Sequence, residues 1–192
     1  MIARILFAVK QGWHYRNQLR QFMTHPDLQV NTPLDLDLLS LKNDIGIKVL
    51  ALDLDGVMVS YGENKLTDPL AAWLSRCVEQ WTVANIFIYT NRSSTLRKEY
   101  FLQHFPGMRF VEVSRKKPYP DGLYQIIEKT KVLPGEILVI DDRLLTGILA
   151  ALIVGTKAKW VTKPLISIKK RPVAELLFIL LRALERFLLC FL

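Results

Sequence analysis

KVLALDLDGV, residues 48–57, is a short apolar run that closes on two carboxylates, Asp53 and Asp55, and then Gly56 and Val57. Its apolar residues are continuous rather than alternating, which predicts a strand over Lys48–Asp53 covered on both faces. Working outward, strand-type and helix-type segments alternate. A helix is expected over Ala71–Gln80, a strand over Ala84–Tyr89, a helix over Thr95–His104 and a short strand over Arg109–Val113. A helix at Gly122–Thr130, a strand at Glu136–Ile140, a helix at Leu144–Val154 and a strand at Ala158–Thr162 follow. Strands that alternate with helices predict an α/β fold, a doubly wound, Rossmann-like parallel sheet with right-handed crossovers. Such sheets bind ligands beyond the carboxyl ends of their strands. The residues that end each strand are therefore the candidates for chemistry.

The first strand ends in Asp53 and Asp55, carboxylates able to act as nucleophile, acid/base or metal ligand. The second ends in Thr90-Asn91, a hydroxyl and an amide that can hydrogen-bond phosphate oxygens. Ser93 or Ser94 would cap the helix that follows. The third is followed by Ser114-Arg115-Lys116-Lys117-Pro118, where Pro118 holds the basic residue before it in an extended conformation. The fourth ends in Asp141-Asp142, followed by Arg143 and Thr146. A carboxylate there is a hard oxygen ligand suited to Mg²⁺. An anionic nucleophile approaching an anionic phosphoryl group needs such a cation.

Asp-x-Asp, then Thr, then Lys-Pro, then an acidic pair, each at the end of a successive strand, resembles the haloacid dehalogenase (HAD) superfamily of phosphotransferases. Pro26-Asp27-Leu28, Gly46-Ile47-Lys48 before DLDG, Lys117-Pro118 and Asp142-Arg143-Leu144-Leu145-Thr146 narrow the resemblance. They are similar to the capless IIIA-type branch that contains the phosphatidylglycerophosphate phosphatases, over roughly residues 26–165. The resemblance implies that Asp53 attacks phosphorus to form an aspartyl-phosphate, and that Asp55 protonates the leaving alcohol and later activates water. It implies Mg²⁺ held by the Asp53 carboxylate, the Asp55 backbone carbonyl and Asp142. Thr90 and Asn91 would hold phosphate oxygens, and Lys117, or Lys116 in another register, would steady the charge. The chain departs from the branch at Gly56-Val57, where Asn-Thr is usual. It also has Asp141 in place of a Gly, and Gly147 in place of an Asp. The second pair removes a metal-supporting carboxylate unless Asp141 replaces it.

About 35 residues separate Asp55 from Thr90, and about 25 separate Asn91 from Lys117. Each interval already holds a crossover, which leaves no room for a cap domain. An uncapped site suits a phosphate displayed on something large, such as a lipid in a bilayer, a protein or a nucleic-acid end.

The 192 residues suit one domain with short extensions. The expected division is a basic amphipathic segment over 1–25, the phosphatase domain over 26–165, and a basic then apolar helix over 166–192. Lys+Arg 26 against Asp+Glu 18 gives a net charge of +8, which favours an anionic partner. Two cysteines, Cys77 and Cys190, make no disulfide framework, and with His14, His25 and His104 scattered no Cys/His zinc site assembles. Arg4 and Lys10 interrupt any apolar signal core.

Ile2, Ile5, Leu6, Val9 and Trp13 form one helical stripe. Residues 173–192 could span a bilayer core by length, but Glu175, Arg182, Glu185 and Arg186 gather on one face within roughly a 100° arc. That pattern predicts an interfacial amphipathic helix rather than a spanning one, with packing on the domain or in a dimer as the rival. Lys157, Lys159, Lys163, Lys169, Lys170 and Arg171 precede it without an acid, a pattern suited to anionic headgroups. The expected protein is a Mg²⁺-dependent phosphatase on the cytoplasmic or matrix-type face of a membrane, dephosphorylating phosphatidylglycerophosphate. An anionic phospholipid surface is its expected partner and nucleic acid is not. The alternatives are a nucleic-acid or protein phosphate as substrate, or a non-catalytic interaction module on the same fold.

Overall fold

The structure, a computed structural model, describes residues 2–168 and 172–191. Helices α1 (Ile2–His14) and α2 (Arg16–Thr24) precede strand β1 (Gln29–Val30) and helix α3 (Leu38–Asn43). Then come β2 (Val49–Leu52), α4 (Asp68–Trp81), β3 (Ile86–Ile88), α5 (Thr95–His104) and β4 (Arg109–Phe110). The chain continues through α6 (Asp121–Thr130), β5 (Ile137–Asp141), α7 (Leu149–Val154), β6 (Lys157–Val161) and α8 (Pro172–Phe191). All strand pairs are parallel, in the order β1-β6-β5-β2-β3-β4. This is the expected doubly wound α/β sheet, with the ends of β2, β3 and β5 gathered on one side.

Strand β2 sits at the centre because every one of its side chains is apolar. Leu50 and Leu52 point to one face, with Trp73, Leu74, Ile86, Ile88, Phe101 and Ile140. Val49 and Ala51 point to the other, with Phe87, Leu123, Ile126, Val139 and Leu149. The chain leaves β2 toward β3 and β4 on one side and reaches β5 and β6 on the other. The sheet order therefore reverses between β2 and β5, where such folds form their ligand crevice.

Several elements differ from expectation. β1 was not foreseen: two residues are too few to show a period, and they gain strand character only by pairing with Trp160 and Val161. Leu19 and Phe22 of α2 are buried in the second core layer. The helix expected from Leu144 begins with a π-helical turn over Leu144–Ile148 before α7. The cap of α5 is as expected: Ser94 accepts from Arg97 N at 3.3 Å.

α8 is a helix, as its pattern predicts, but its charged face is turned toward the protein. Glu175 and Glu185 are buried, while Leu176, Leu180 and Phe187 are exposed. Among the described residues no helix is long and apolar enough to cross a membrane. Lys169, Lys170 and Arg171 lie outside the described residues.

Candidate active site

Lys117 is the hub. Its ammonium donates to Asp53 Oδ1 at 2.7 Å, to Asp141 Oδ2 at 2.6 Å and to the Tyr89 carbonyl at 2.8 Å. It also lies 4.7 Å from the centre of the Tyr89 ring. Three strand tips thus meet on one cation: β2 through Asp53, β3 through Tyr89 and β5 through Asp141. The side chain is 3% exposed. Burial works against its charge, but Asp141 and Asp53 outweigh burial and hold its proton well above the usual lysine range. Lys116, the alternative left open by the sequence, is exposed.

Asn91 fixes the Lys117 loop. Its Oδ1 accepts from Lys117 N at 2.7 Å and its Nδ2 donates to Lys117 O at 3.3 Å. Its amide is therefore engaged with backbone, and it touches the site through Lys117. The Thr90 hydroxyl accepts from Arg92 N at 3.2 Å in a local turn and stays partly exposed.

Asp53, Asp141 and Asp142 each offer a carboxylate oxygen within 4.8 Å of the others, and all three are buried. Burial pushes the Asp53 carboxyl well above its ordinary range; Lys117 opposes this, and Asp141 and Asp142 add to it. Burial likewise pushes Asp142 up to about 7, against the pull of Arg182. Asp142 Oδ1 is buried and has no hydrogen-bond partner. Three hard oxygens and an orphaned lone pair fit a small divalent cation of the Mg²⁺ type. Asp55 is not in this cluster. Arg97 holds both its oxygens, Nη2 to Oδ1 at 2.5 Å and Nη1 to Oδ2 at 3.0 Å, and Gly62 N donates to Oδ1 at 3.2 Å.

These shifts give a pH prediction with a definite sign. Asp53 and Asp142 bind protons more tightly folded than unfolded, so the folded state carries more protons between about pH 4 and about 7. The stability of the metal-free protein should fall as pH rises through that window. A bound cation replaces those protons, so Mg²⁺ should raise the melting temperature more at about pH 8 than at about pH 5. Equal shifts at the two pH values, measured by thermal unfolding, would contradict the cation site.

Two glycines shape the site. Gly56 has φ +92°, and a Cβ there would lie 2.7 Å from Asp142 Oδ2 and 2.8 Å from Arg182 Nη2. A Cβ on Gly147 would lie 1.9 Å from Asp141 Oδ2. The Asp141 carboxylate thus fills the space toward which a side chain at 147 would point, which explains the paired departures at 141 and 147. Gly147→Ala should therefore displace Asp141 from Lys117 and cost most of the turnover. Asp141→Gly combined with Gly147→Asp should restore a large part of it. A double variant no better than Gly147→Ala in a phosphate-release assay would refute this exchange of positions.

Sequence reasoning missed Arg97 and Arg182. A signal existed for Arg97: it shares the buried face of α5 with Phe101, four residues on. For Arg182 there was none, since nothing local says which way α8 faces. Arg182 Nε donates to Asp142 Oδ2 at 2.5 Å. The neighbouring Arg143 Nε donates to Glu185 Oε1 at 2.9 Å.

No curated protein matches the chain. Among solved structures it is similar to a predicted phosphoglycolate phosphatase from Haemophilus somnus, at 14% identity and a TM-score of 0.44 over 62% of this chain and 89% of that one. It is similar to a HAD family enzyme from Bacteroides thetaiotaomicron, solved with magnesium and inorganic phosphate, at 14% identity and 0.43 over 60% and 94%. It is also similar to a HAD-superfamily hydrolase from Geobacter sulfurreducens, at 17% identity and 0.40 over 58% and 88%. Similarity this low carries no argument here. The match that does is to the family described as mitochondrial PGP phosphatase, over residues 16–166, most of the chain and all of the strand tips described above. The chain belongs to the mitochondrial PGP phosphatase family.

Proposed function

We propose that the protein hydrolyses the terminal phosphate of phosphatidylglycerophosphate, leaving phosphatidylglycerol, by a Mg²⁺-dependent route through an aspartyl-phosphate. The observation that supports the chemistry best is the Asp53–Lys117–Asp141 bridge beside Asp142, at the point where the sheet order reverses. Mg²⁺, held by Asp53 and Asp142 with Asp141 nearby, would neutralise phosphoryl oxygens. An Asp53 oxygen attacks phosphorus and the ester P–O bond breaks. Asp55 gives its proton to the departing alkoxide. Water then attacks the aspartyl-phosphate, Asp55 takes the water's proton, and inorganic phosphate leaves with Asp53 restored. Lys117 keeps its proton throughout and balances the charge that Asp53 loses and regains. For its part in both steps Asp55 turns one oxygen away from Arg97. Thr90, with its hydroxyl partly exposed, is assigned to a phosphate oxygen, and Asn91 to keeping Lys117 in place.

The lipid substrate rests on access and surroundings. Only residues 53–67 lie between β2 and α4, and only 89–94 between β3 and α5, so no inserted domain covers the strand tips. α1 presents Ile2, Ile5, Leu6, Val9 and Trp13 to the outside and packs beside the site. Its Phe7 ring stacks on Tyr119, two residues past Lys117, with centroids 4.3 Å apart. A peripheral position on the cytoplasmic or matrix-type face of an anionic phospholipid membrane follows from this reading. The test offers equal concentrations of phosphatidylglycerophosphate in mixed micelles, a 5′-phosphorylated oligonucleotide and a phosphopeptide. The lipid is expected to be hydrolysed fastest; preference for the oligonucleotide or peptide would replace the substrate and keep the chemistry.

A further inference from the structure

α8 is turned the wrong way round for water. A surface helix ordinarily buries its apolar stripe and shows its charges. Here Glu175, Arg182 and Glu185 face inward. Glu175 accepts from Ser167 N at 2.9 Å, Glu185 from Arg143 Nε at 2.9 Å, and Arg182 grips Asp142. Arg20 of α2 holds the far end by donating to the carbonyls of Leu189 at 2.7 Å and Cys190 at 3.2 Å. Val173, Leu176, Leu177, Leu180, Leu184 and Phe187 are all more than half exposed. A continuous apolar face of this kind marks a site of contact with another body.

Three observations commit it to an anionic lipid surface. α1, whose apolar stripe is exposed, packs by its other side against the same Leu144–Ile148 turn as α8, so two exposed apolar faces flank one site. Lys10, Lys163 and Arg186 lie exposed on or beside those helices and supply positive charge. α8 is held to the domain by the polar contacts of Glu175, Arg182 and Glu185, by Phe178 against the Tyr61 ring and by the buried Leu189 near its end. Beneath it a cleft of about 140 Å³, lined by Leu144, Trp160, Pro164 and Ile179 among others, opens beside Asp142.

Arg182 connects this surface to the chemistry. Its guanidinium lies beside the Gly56 backbone and occupies Oδ2 of Asp142, next to the unpartnered Oδ1. A guanidinium and a metal ion on the two oxygens of one buried carboxylate repel each other. Leaving Asp142 with neither strands a buried charge, so departure of one favours arrival of the other. We propose that α8 is a strap worked by the lipid surface: an anionic bilayer takes up its apolar outer face, Arg182 leaves Asp142, and the cation site is completed at the membrane. The lipid-phosphatase reading underlies this for the identity of the surface. The metal and vesicle measurements below stand without it.

The test measures Mg²⁺ affinity by titration calorimetry and binding by vesicle sedimentation, using vesicles of phosphatidylcholine with phosphatidylglycerol and vesicles of phosphatidylcholine alone. For the native chain the mixed vesicles should tighten Mg²⁺ binding by about tenfold. Arg182→Gln should show the tighter affinity without vesicles and lose most of their effect. Leu180→Asp with Leu184→Asp, on the exposed face, should keep the vesicle-free affinity and lose both sedimentation and the vesicle effect. This pair decides the matter if Arg182→Gln does not fold. Arg182→Gln with unchanged or weaker affinity would overturn the proposal, showing that Arg182 holds Asp142 in place for the ion. Equal action of phosphatidylcholine vesicles would overturn the anionic part. A stable dimer that covers the α8 face in solution would overturn the lipid surface. Turnover of a soluble phosphomonoester is followed in parallel; its absence would count against the catalytic reading and leave the strap to the metal and vesicle data.

Discussion

Asp53→Asn is expected to lower phosphate release by about 10³-fold or more while leaving the fold intact. The amide nitrogen and oxygen nearly match the carboxylate in shape, but neither is a nucleophile toward phosphorus. The usual objection to such a result is that the variant has unfolded, and here the electrostatics argue the reverse. Asp53 is buried beside Asp141 and Asp142, and its ionised form is disfavoured there. Replacing it by a neutral amide removes one of three crowded carboxylates and leaves Lys117 paired with Asp141 at 2.6 Å. The variant should therefore unfold at a temperature no lower than the native chain. Lost turnover with retained stability would assign the loss to chemistry. Turnover within a few-fold of native would end the nucleophile assignment.

Lys117→Met is expected to remove turnover and stability together. Lys117 is the shared cation of Asp53 and Asp141, and all three side chains are buried. Removing one partner of a buried ionic cluster costs about 3–5 kcal/mol, because the remaining charges lose their compensation. The loss should shrink in acid, where the two carboxylates can be protonated, and shrink with Mg²⁺, which can stand in for part of the missing charge. Denaturant unfolding at neutral and acid pH, with and without Mg²⁺, checks the pattern. A Lys117→Met chain as stable as native at neutral pH would show that the bridge is not the electrostatic centre of the site.

The strand-tip residues were legible because a parallel sheet places them by topology alone. Once β2, β3, β5 and the loop after β4 are read from apolar runs, Asp53, Asp142 and Lys117 must lie at one end. Asp141 was legible only as an alternative, since its value depends on Gly147 six residues later and on a π-helical turn that no local pattern announces. Asn91 was read as a phosphate ligand by residue type; its two hydrogen bonds to Lys117 depend on a loop register that the sequence does not fix. The charged arc of α8 was recognised as one face, but its direction was not. Its partners Asp142, Arg143 and Ser167 come from distant parts of the chain, and together they outweigh the tendency of apolar side chains to turn inward.

The most direct test is phosphate release from phosphatidylglycerophosphate in mixed micelles by the native chain, with Mg²⁺ and again with a chelator. Release that requires Mg²⁺ and stops with the chelator is expected. Release that continues unchanged in the chelator, or no release from a folded protein supplied with Mg²⁺, would contradict it.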